Sequence, residues 1–311
     1  MEHQSVLKAE CLELLAIKPE GIYVDMTLGR AGHASAILSK LTSGHLYGFD
    51  KDETAIAESD GLLAKISSNY TLFSCDFSEI KEKLEECEVR VVDGILMDLG
   101  VSSPQFDDIS RGFSYKGEAR LDMRMDRRQR LSAYEVVNEY PLADLTKVLR
   151  EYGEEPFAYP IAKAIVAKRP LTTTTELVAV IKEVLPAKVL AKKGHPAKQV
   201  FQAIRLEVNG ELEALKSGLD QALDLLKPSG RLAIISFHSL EDRLIKVKFN
   251  EVSKVIIDKR IPLKAREIPQ ATFKLVNRKV IMASEAEVKI NNRAAGAKLR
   301  VIERIGDDYG Y

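Results

Sequence analysis

Apolar positions in the first hundred residues alternate between two periods. Gly21-Ile22-Tyr23-Val24-Asp25 is a short β-rich run that ends in an acid, and a glycine turn from Gly29 to Gly32 follows it. Ala34, Ile37, Leu38 and Leu41 then recur at helical spacing and predict a helix over 34–41. A second run, His45 to Asp50, again closes on an acid. Thr54 to Ile66 reads as a helix, Tyr70 to Asp76 as a third strand and Val92 to Asp98 as a fourth. Strands separated by helices imply right-handed crossovers and a parallel sheet.

The alternation then stops for about a hundred residues. Leu99 to Asp126 mixes Gly, Ser, Pro, Arg and Asp in the manner of a loop. From Ser132 to Leu206 the period is helical. Thr173-Thr174-Thr175-Glu176 forms a capping box that opens a helix over Leu177–Leu185, and Pro186 closes it. His195-Pro196 opens a further helix predicted to run from Ala197 to Leu215. Arg231 to Phe237 restores a buried strand, and Lys298 to Arg304 reads as a last one. The expected architecture is α/β, a Rossmann-like sheet with an inserted all-helical domain. The expected boundaries are 1–107 for the first part of the sheet domain, 108–198 for the helical insert and 199–311 for the return.

Composition changes this picture little. Hydrophobic residues make up 45% and charged residues 30%, an ordinary globular balance. No apolar run nears the ~18 residues of a membrane span, and Met1 to Ser5 lacks a secretory pattern. Cys11, Cys75 and Cys87 cannot all pair and show no metal-ligand spacing; the five histidines are scattered. No metal site, no membrane contact and a reduced cytoplasmic setting are therefore expected.

Charge matters more. The net is zero, but residues 1–110 carry 9 basic and 20 acidic side chains, a net of −11. Residues 111–205 carry a net of +7 and residues 243–304 a net of +10. Such asymmetry points to polyanion binding by two regions, while the acidic part stays clear of the ligand.

The candidate chemistry begins at the strand-ending acids. Glycine in Asp25-Met26-Thr27-Leu28-Gly29-Arg30-Ala31-Gly32-His33 allows close approach of backbone to a ligand, and the following helix start offers free N–H groups. Asp50 lies 21 residues after Gly29, where doubly wound folds bond ribose hydroxyls. A dinucleotide and S-adenosylmethionine both fit this frame. The G-x-G-x-x-G fingerprint of the first is absent.

Motifs along nearly the whole chain carry a resemblance. They are His3 to Leu7, Tyr23 to His33, Asp93 to Gln105, Arg111 to Tyr115 and Leu121 to Asp126, then His195 to Ala197, Phe201 to Arg205, Ser236 to Arg243 and Ala297 to Arg300. Together and in this order they resemble the bacterial small-subunit ribosomal RNA methyltransferase H family, also called the MraW family. The resemblance implies S-adenosylmethionine as cofactor and methyl transfer to N4 of a cytidine, conventionally numbered 1402, in the decoding region of 16S rRNA. It implies the small ribosomal subunit as partner; a homodimer is a separate expectation. Family cofactor contacts fall by motif on Ala31, Gly32, His33, Asp50, Phe77, Asp98 and Gln105. The chain departs from the family where Met26 and Ala31 replace glycine, and where Gln199 replaces a frequent arginine. A Cβ at position 31 calls for an ordinary backbone conformation there.

Cytosine's amino group is a poor nucleophile, because its lone pair is delocalised into the ring. Its methylation needs alignment, an acceptor for the amine hydrogen, and exclusion of water. Asp98, at the end of the fourth strand, is the catalytic candidate, although a cofactor contact is equally open to it. His238, directly after the Arg231 strand, is a second candidate as proton acceptor, or merely precedes a helix cap. Phe113 and Tyr115 offer a stacking platform for an extruded base, or anchor their loop to the core. Lys192, Lys193 and Arg205 are candidate RNA contacts. A small-molecule methyltransferase and a non-catalytic cofactor-binding assembly factor remain the competing classes; neither accounts for two basic regions together with the Asp98 loop.

Overall fold

The computed structural model describes residues 5–192, 194–254 and 271–306. Eight strands form one sheet: β1 (Ile22–Asp25), β2 (His45–Asp50), β3 (Tyr70–Ser74), β4 (Val92–Asp98), β5 (Leu226–Ser236), β6 (Phe273–Leu275), β7 (Ile281–Met282) and β8 (Lys298–Arg304). Their order is β3-β2-β1-β4-β5-β8-β6, with β7 also paired to β8. The first five strands are parallel as expected. β8 runs antiparallel to β5, and the edge strands β6 and β7 are antiparallel to β8. After β1 the chain builds β2 and β3 on one side and then returns to build β4 on the other. That reversal makes the ends of β1 and β4 the topological switch point, where open α/β sheets bind their ligands.

The sheet is buried on both faces, and side-chain alternation sorts its residues. Ile95, Met97, Leu232 and Ile234 face one apolar cluster; Leu96, Ala233 and Ile235 face the other. Helices α1 (Lys8–Leu15), α2 (Gly32–Leu38) and α3 (Glu53–Leu63) supply Cys11, Ile37 and Leu63 to the second cluster. Helix α4 (Ile80–Glu86) supplies Ile80 and Leu84 to the first.

The inserted unit is helical: α5 (Ser103–Asp107), α6 (Ala133–Glu139), α7 (Leu142–Glu151), α8 (Ala158–Ala167), α9 (Thr174–Val184), α10 (Ala187–Leu190) and α11 (Lys198–Asn209). The predicted capping box is present, with Thr173 and Glu176 bonded reciprocally. Leu145, Leu149, Ile161, Ile165, Leu177, Ile181, Phe201 and Ile204 make its own core. Contacts divide the chain into 1–100 with 214–311, and 101–213. The cut falls at 213 rather than 198 because α11 gives Val200, Phe201 and Ile204 to the helical core. The helix expected over 197–215 breaks at Gly210, which caps α11 at φ 59°. Helix α12 (Glu211–Leu225) then leads into β5. Leu219 and Leu223 join α13 (Ser239–Ser253) on the same face of the sheet as α4, and α14 (Glu285–Ile290) precedes β8. Among the described residues no helix is long and apolar enough to cross a membrane.

Candidate active site at the strand ends

Asp25, Asp50 and Asp98 end three adjacent strands, β1, β2 and β4. The turn after β1 weaves between them: Met26 N–H donates to Leu96 O at 2.9 Å and Leu28 N–H to Phe49 O at 2.8 Å. Asp50 fixes the glycine turn itself. One of its oxygens accepts from Gly29 N–H at 2.8 Å and the other from Asp52 N–H at 2.9 Å. Gly29 stands at φ 51°. At Gly32 a Cβ would fall 1.9 Å from Ser5 Oγ, so a larger residue there would displace that hydroxyl.

Ala31 corrects an expectation. Its Cβ does not impose an ordinary conformation; the residue is left-handed at φ 54°, fully buried, and caps α2 without a side-chain hydrogen bond. Tight packing around the turn overrides a local cost of about 1 kcal/mol.

His33 and Asp98 meet at the centre. His33 is 5% exposed, and its Nε2 lies 3.6 Å from Asp98 Oδ2. Thr27 Oγ1 accepts from Asp98 N–H at 2.5 Å, and Thr27 N–H donates to Asp25 Oδ1 at 3.1 Å. Burial favours the neutral His33 ring, but the neighbouring Asp98 carboxylate and then the charge of Asp25 outweigh it, so His33 titrates above its usual range. Burial pushes the Asp25 carboxyl up to about 6, against the pull of His33 and Thr27 N–H. Burial also pushes Asp50 up to about 6, against its two backbone donors. Among the described residues, both His33 ring nitrogens and Asp98 Oδ1 are buried without a hydrogen bond, as is Ser236 Oγ at the end of β5. Each such atom costs about 1–3 kcal/mol until a polar partner meets it. The cluster therefore fits a polar, partly cationic ligand. Thr27 and Asp25 went unassigned in the sequence; a hydroxyl two residues past a strand-ending acid was the available signal.

The other candidates separate. Phe77 opens a single 3-10 turn capped by Asp76, and its ring lies where a Cβ on Gly218 would come within 2.7 Å. Gln105 belongs to the helical unit, where its Oε1 accepts from Ser102 N–H at 3.1 Å. His238 is the N-cap of α13. Its Nδ1 accepts from Glu241 N–H at 3.4 Å and its Nε2 lies 2.9 Å from Glu241 Oε1. Nδ1 is thus turned to the cap, while Nε2 is buried beside the Glu241 carboxylate. Phe113 is 3% exposed in the helical core with the Arg111 guanidinium over it, so it has no free face for a base. Tyr115 stacks on His195 at 4.1 Å and meets Phe201 edge-on, anchoring its loop. Arg205 is spent on a two-pronged pair with Glu211 at 2.8 and 3.0 Å, which rules it out as a free RNA contact. Lys192 is exposed, and Lys193 lies outside the described residues. Gln199 is exposed and donates to Glu154 O at 3.1 Å. Among the described residues there is no cluster of metal ligands.

The sequence pattern of the MraW methylase family matches residues 1–305. The chain belongs to this family. It is 50% identical over 308 residues to the ribosomal RNA small subunit methyltransferase H of Exiguobacterium sibiricum, covering 98% of each chain. It is also 50% identical over 311 residues to the protein of that name from Limosilactobacillus fermentum, covering 97% of this chain and 98% of that one. Among solved structures it is similar to an rRNA methylase from Streptococcus thermophilus, at 13% identity and a TM-score of 0.42, over 96% of this chain and 93% of that chain. Family membership makes the strand-end cluster part of an S-adenosylmethionine-dependent methyltransferase.

Proposed function

We propose that this enzyme methylates N4 of a cytidine in the decoding region of small-subunit ribosomal RNA, within the small ribosomal subunit and in the cytoplasm. Two relatives at 50% identity, each covered over 98% of its length, are named ribosomal RNA small subunit methyltransferase H. The observation that carries the reading is the buried, unpartnered Oδ1 of Asp98, held at the end of β4 beside His33.

Asp50, the turn from Gly29 to His33, Phe77 and Asp98 are the residues to hold S-adenosylmethionine. When bound, the cofactor supplies an electrophilic methyl group. Asp98 takes a hydrogen bond from the cytosine amine and accepts its proton as positive charge develops there. Thr27 fixes the Asp98 backbone, and His33 lies beside its carboxylate. Lys192 and Lys193 contribute phosphate contacts from the helical unit. Incubation with methyl-labelled cofactor and either small subunits, free rRNA or free cytidine tests the proposal. Label in the subunit RNA at a cytosine amine is expected. Label only on the small molecule, or cofactor binding without transfer, would overturn it.

A further inference from the structure

The helical unit devotes many side-chain hydrogen bonds to a stretch with no regular structure. Residues 122–131 form neither helix nor strand. Arg111 donates to the carbonyls of Arg124 and Met125 at 3.0 and 3.1 Å. Arg124 Nη1 donates to the carbonyls of Arg127 and Gln129 at 3.1 and 2.9 Å, while Nε and Nη2 grip Asp122 at 2.9 and 2.8 Å. Asn209 accepts from Met125 N–H and donates to Met123 O, both at 2.8 Å. Gln129 reaches the carbonyls of Leu131 and Val208 at 2.8 and 2.7 Å. Arg111 and Asn209 are buried. Met123 is held left-handed at φ 59°, and at Gly112 a Cβ would come within 2.6 Å of Arg120 O.

A surface loop without a task keeps its conformational freedom, because fixing each residue costs entropy. This one is fastened from beneath and presents arginines outward. Arg127 and Arg130 are exposed, and their guanidinium groups have no ion pair or hydrogen bond among the described residues. Arg128 between them is held on Asp126 at 2.9 and 3.0 Å. A guanidinium fork matches a phosphate in two-pronged geometry, and pre-ordering its backbone lowers the entropic cost of binding a partner whose phosphates are themselves at fixed spacing.

We propose that residues 122–131 are a pre-ordered loop that binds the sugar-phosphate backbone of structured RNA through Arg127 and Arg130. The proposal rests on the RNA-methylating reading above and names where the substrate is held. The test is a salt titration of binding to a decoding-region RNA hairpin, with the full chain. Arg127→Ala with Arg130→Ala should weaken binding about 10-fold or more and lower the log–log salt slope by ~1.4–1.8, the loss of two contacts. Lys147→Ala with Arg150→Ala removes two exposed cations of α7 and should leave the slope unchanged. Arg124→Lys keeps the charge but loses the fork, so affinity should fall about 3- to 10-fold at constant slope. Superimposable lines for the parent and the Arg127/Arg130 variant would overturn the proposal, and so would an equal loss in the α7 variant. Unchanged affinity in Arg124→Lys would refute the pre-ordering. If the parent neither binds nor methylates the RNA, the functional reading itself fails; if the parent does both and only the variants disagree, the loop alone is refuted.

Discussion

Replacing Asp25 with asparagine isolates the electrostatic cost at the centre of the strand-end cluster. Asp25 is 1% exposed, and its carboxyl is raised from 3.8 to about 6. That difference corresponds to about 3 kcal/mol between its two protonation states. The folded state holds the proton more tightly than the unfolded chain does, so between pH 4 and 6 it binds more protons and stability falls as pH rises. His33 acts in the same direction. Raised above its usual value, it contributes stability below that value and loses it as pH climbs through its folded titration. Asparagine keeps an oxygen for Thr27 N–H, now 3.1 Å from Asp25 Oδ1, and cannot ionise. Parent and Asp25→Asn should therefore be nearly equal in stability below about pH 4 and diverge above it. By pH 8 the variant should be more stable by ~1–3 kcal/mol, the lower figure allowing for the lost attraction to His33. Urea unfolding at five pH values from 4 to 8 measures this directly. Stability curves that stay parallel throughout would refute the reasoning.

Three further outcomes follow from the same geometry. Asp50→Ala should weaken S-adenosylmethionine binding by ~1.5–3 kcal/mol, since it removes a charged acceptor and frees the Gly29 turn; an unchanged calorimetric affinity would place Asp50 outside the site. Asp98→Ala should lower kcat about 100-fold or more while RNA affinity stays near the parent's, and parental turnover at saturating cofactor would remove Asp98 from the chemistry. Lys192→Ala with Lys193→Ala should lower the salt slope of RNA binding by ~0.7–0.9 per lost contact, with cofactor affinity unmoved; parallel lines would make this a solvated loop.

Regular elements were legible in the sequence where one period ran long enough. β1 to β4, the Thr173 capping box and β8 all lie close to where the pattern set them. Short edge strands escaped: β7 is two residues, too few for an alternation to register. The antiparallel direction of β8 was equally hidden, because period alone carries no sense of direction. At the site, the acids were visible as strand ends, yet their partners were not. His238 shows why. Histidine is an uncommon cap, so the sequence left His238 open between proton acceptor and a place before the helix cap, and the Glu241 side of the box went unread. Ala31 failed for the opposite reason: a local rule was correct, but tertiary packing overrode it.

The charge pattern also reads differently once partners are known. Within the described part of 243–304, many cations are already engaged. Lys298 and Arg300 share Asp242 at 3.1 and 2.7 Å, Lys274 holds Glu303, and Lys248 holds Asp220. Arg304 donates to the carbonyls of Asp224 and Leu226. A cation neutralised inside the fold releases no counterion from RNA, so net sequence charge overstates what these residues offer a polyanion. In the helical unit the balance is reversed: Arg127, Arg130 and Lys192 are exposed and lack such partners among the described residues. The smaller net charge thus contains cations free to meet phosphate. The salt dependence of RNA binding should accordingly follow substitutions in the helical unit more closely than substitutions at Lys274, Lys298 or Arg300.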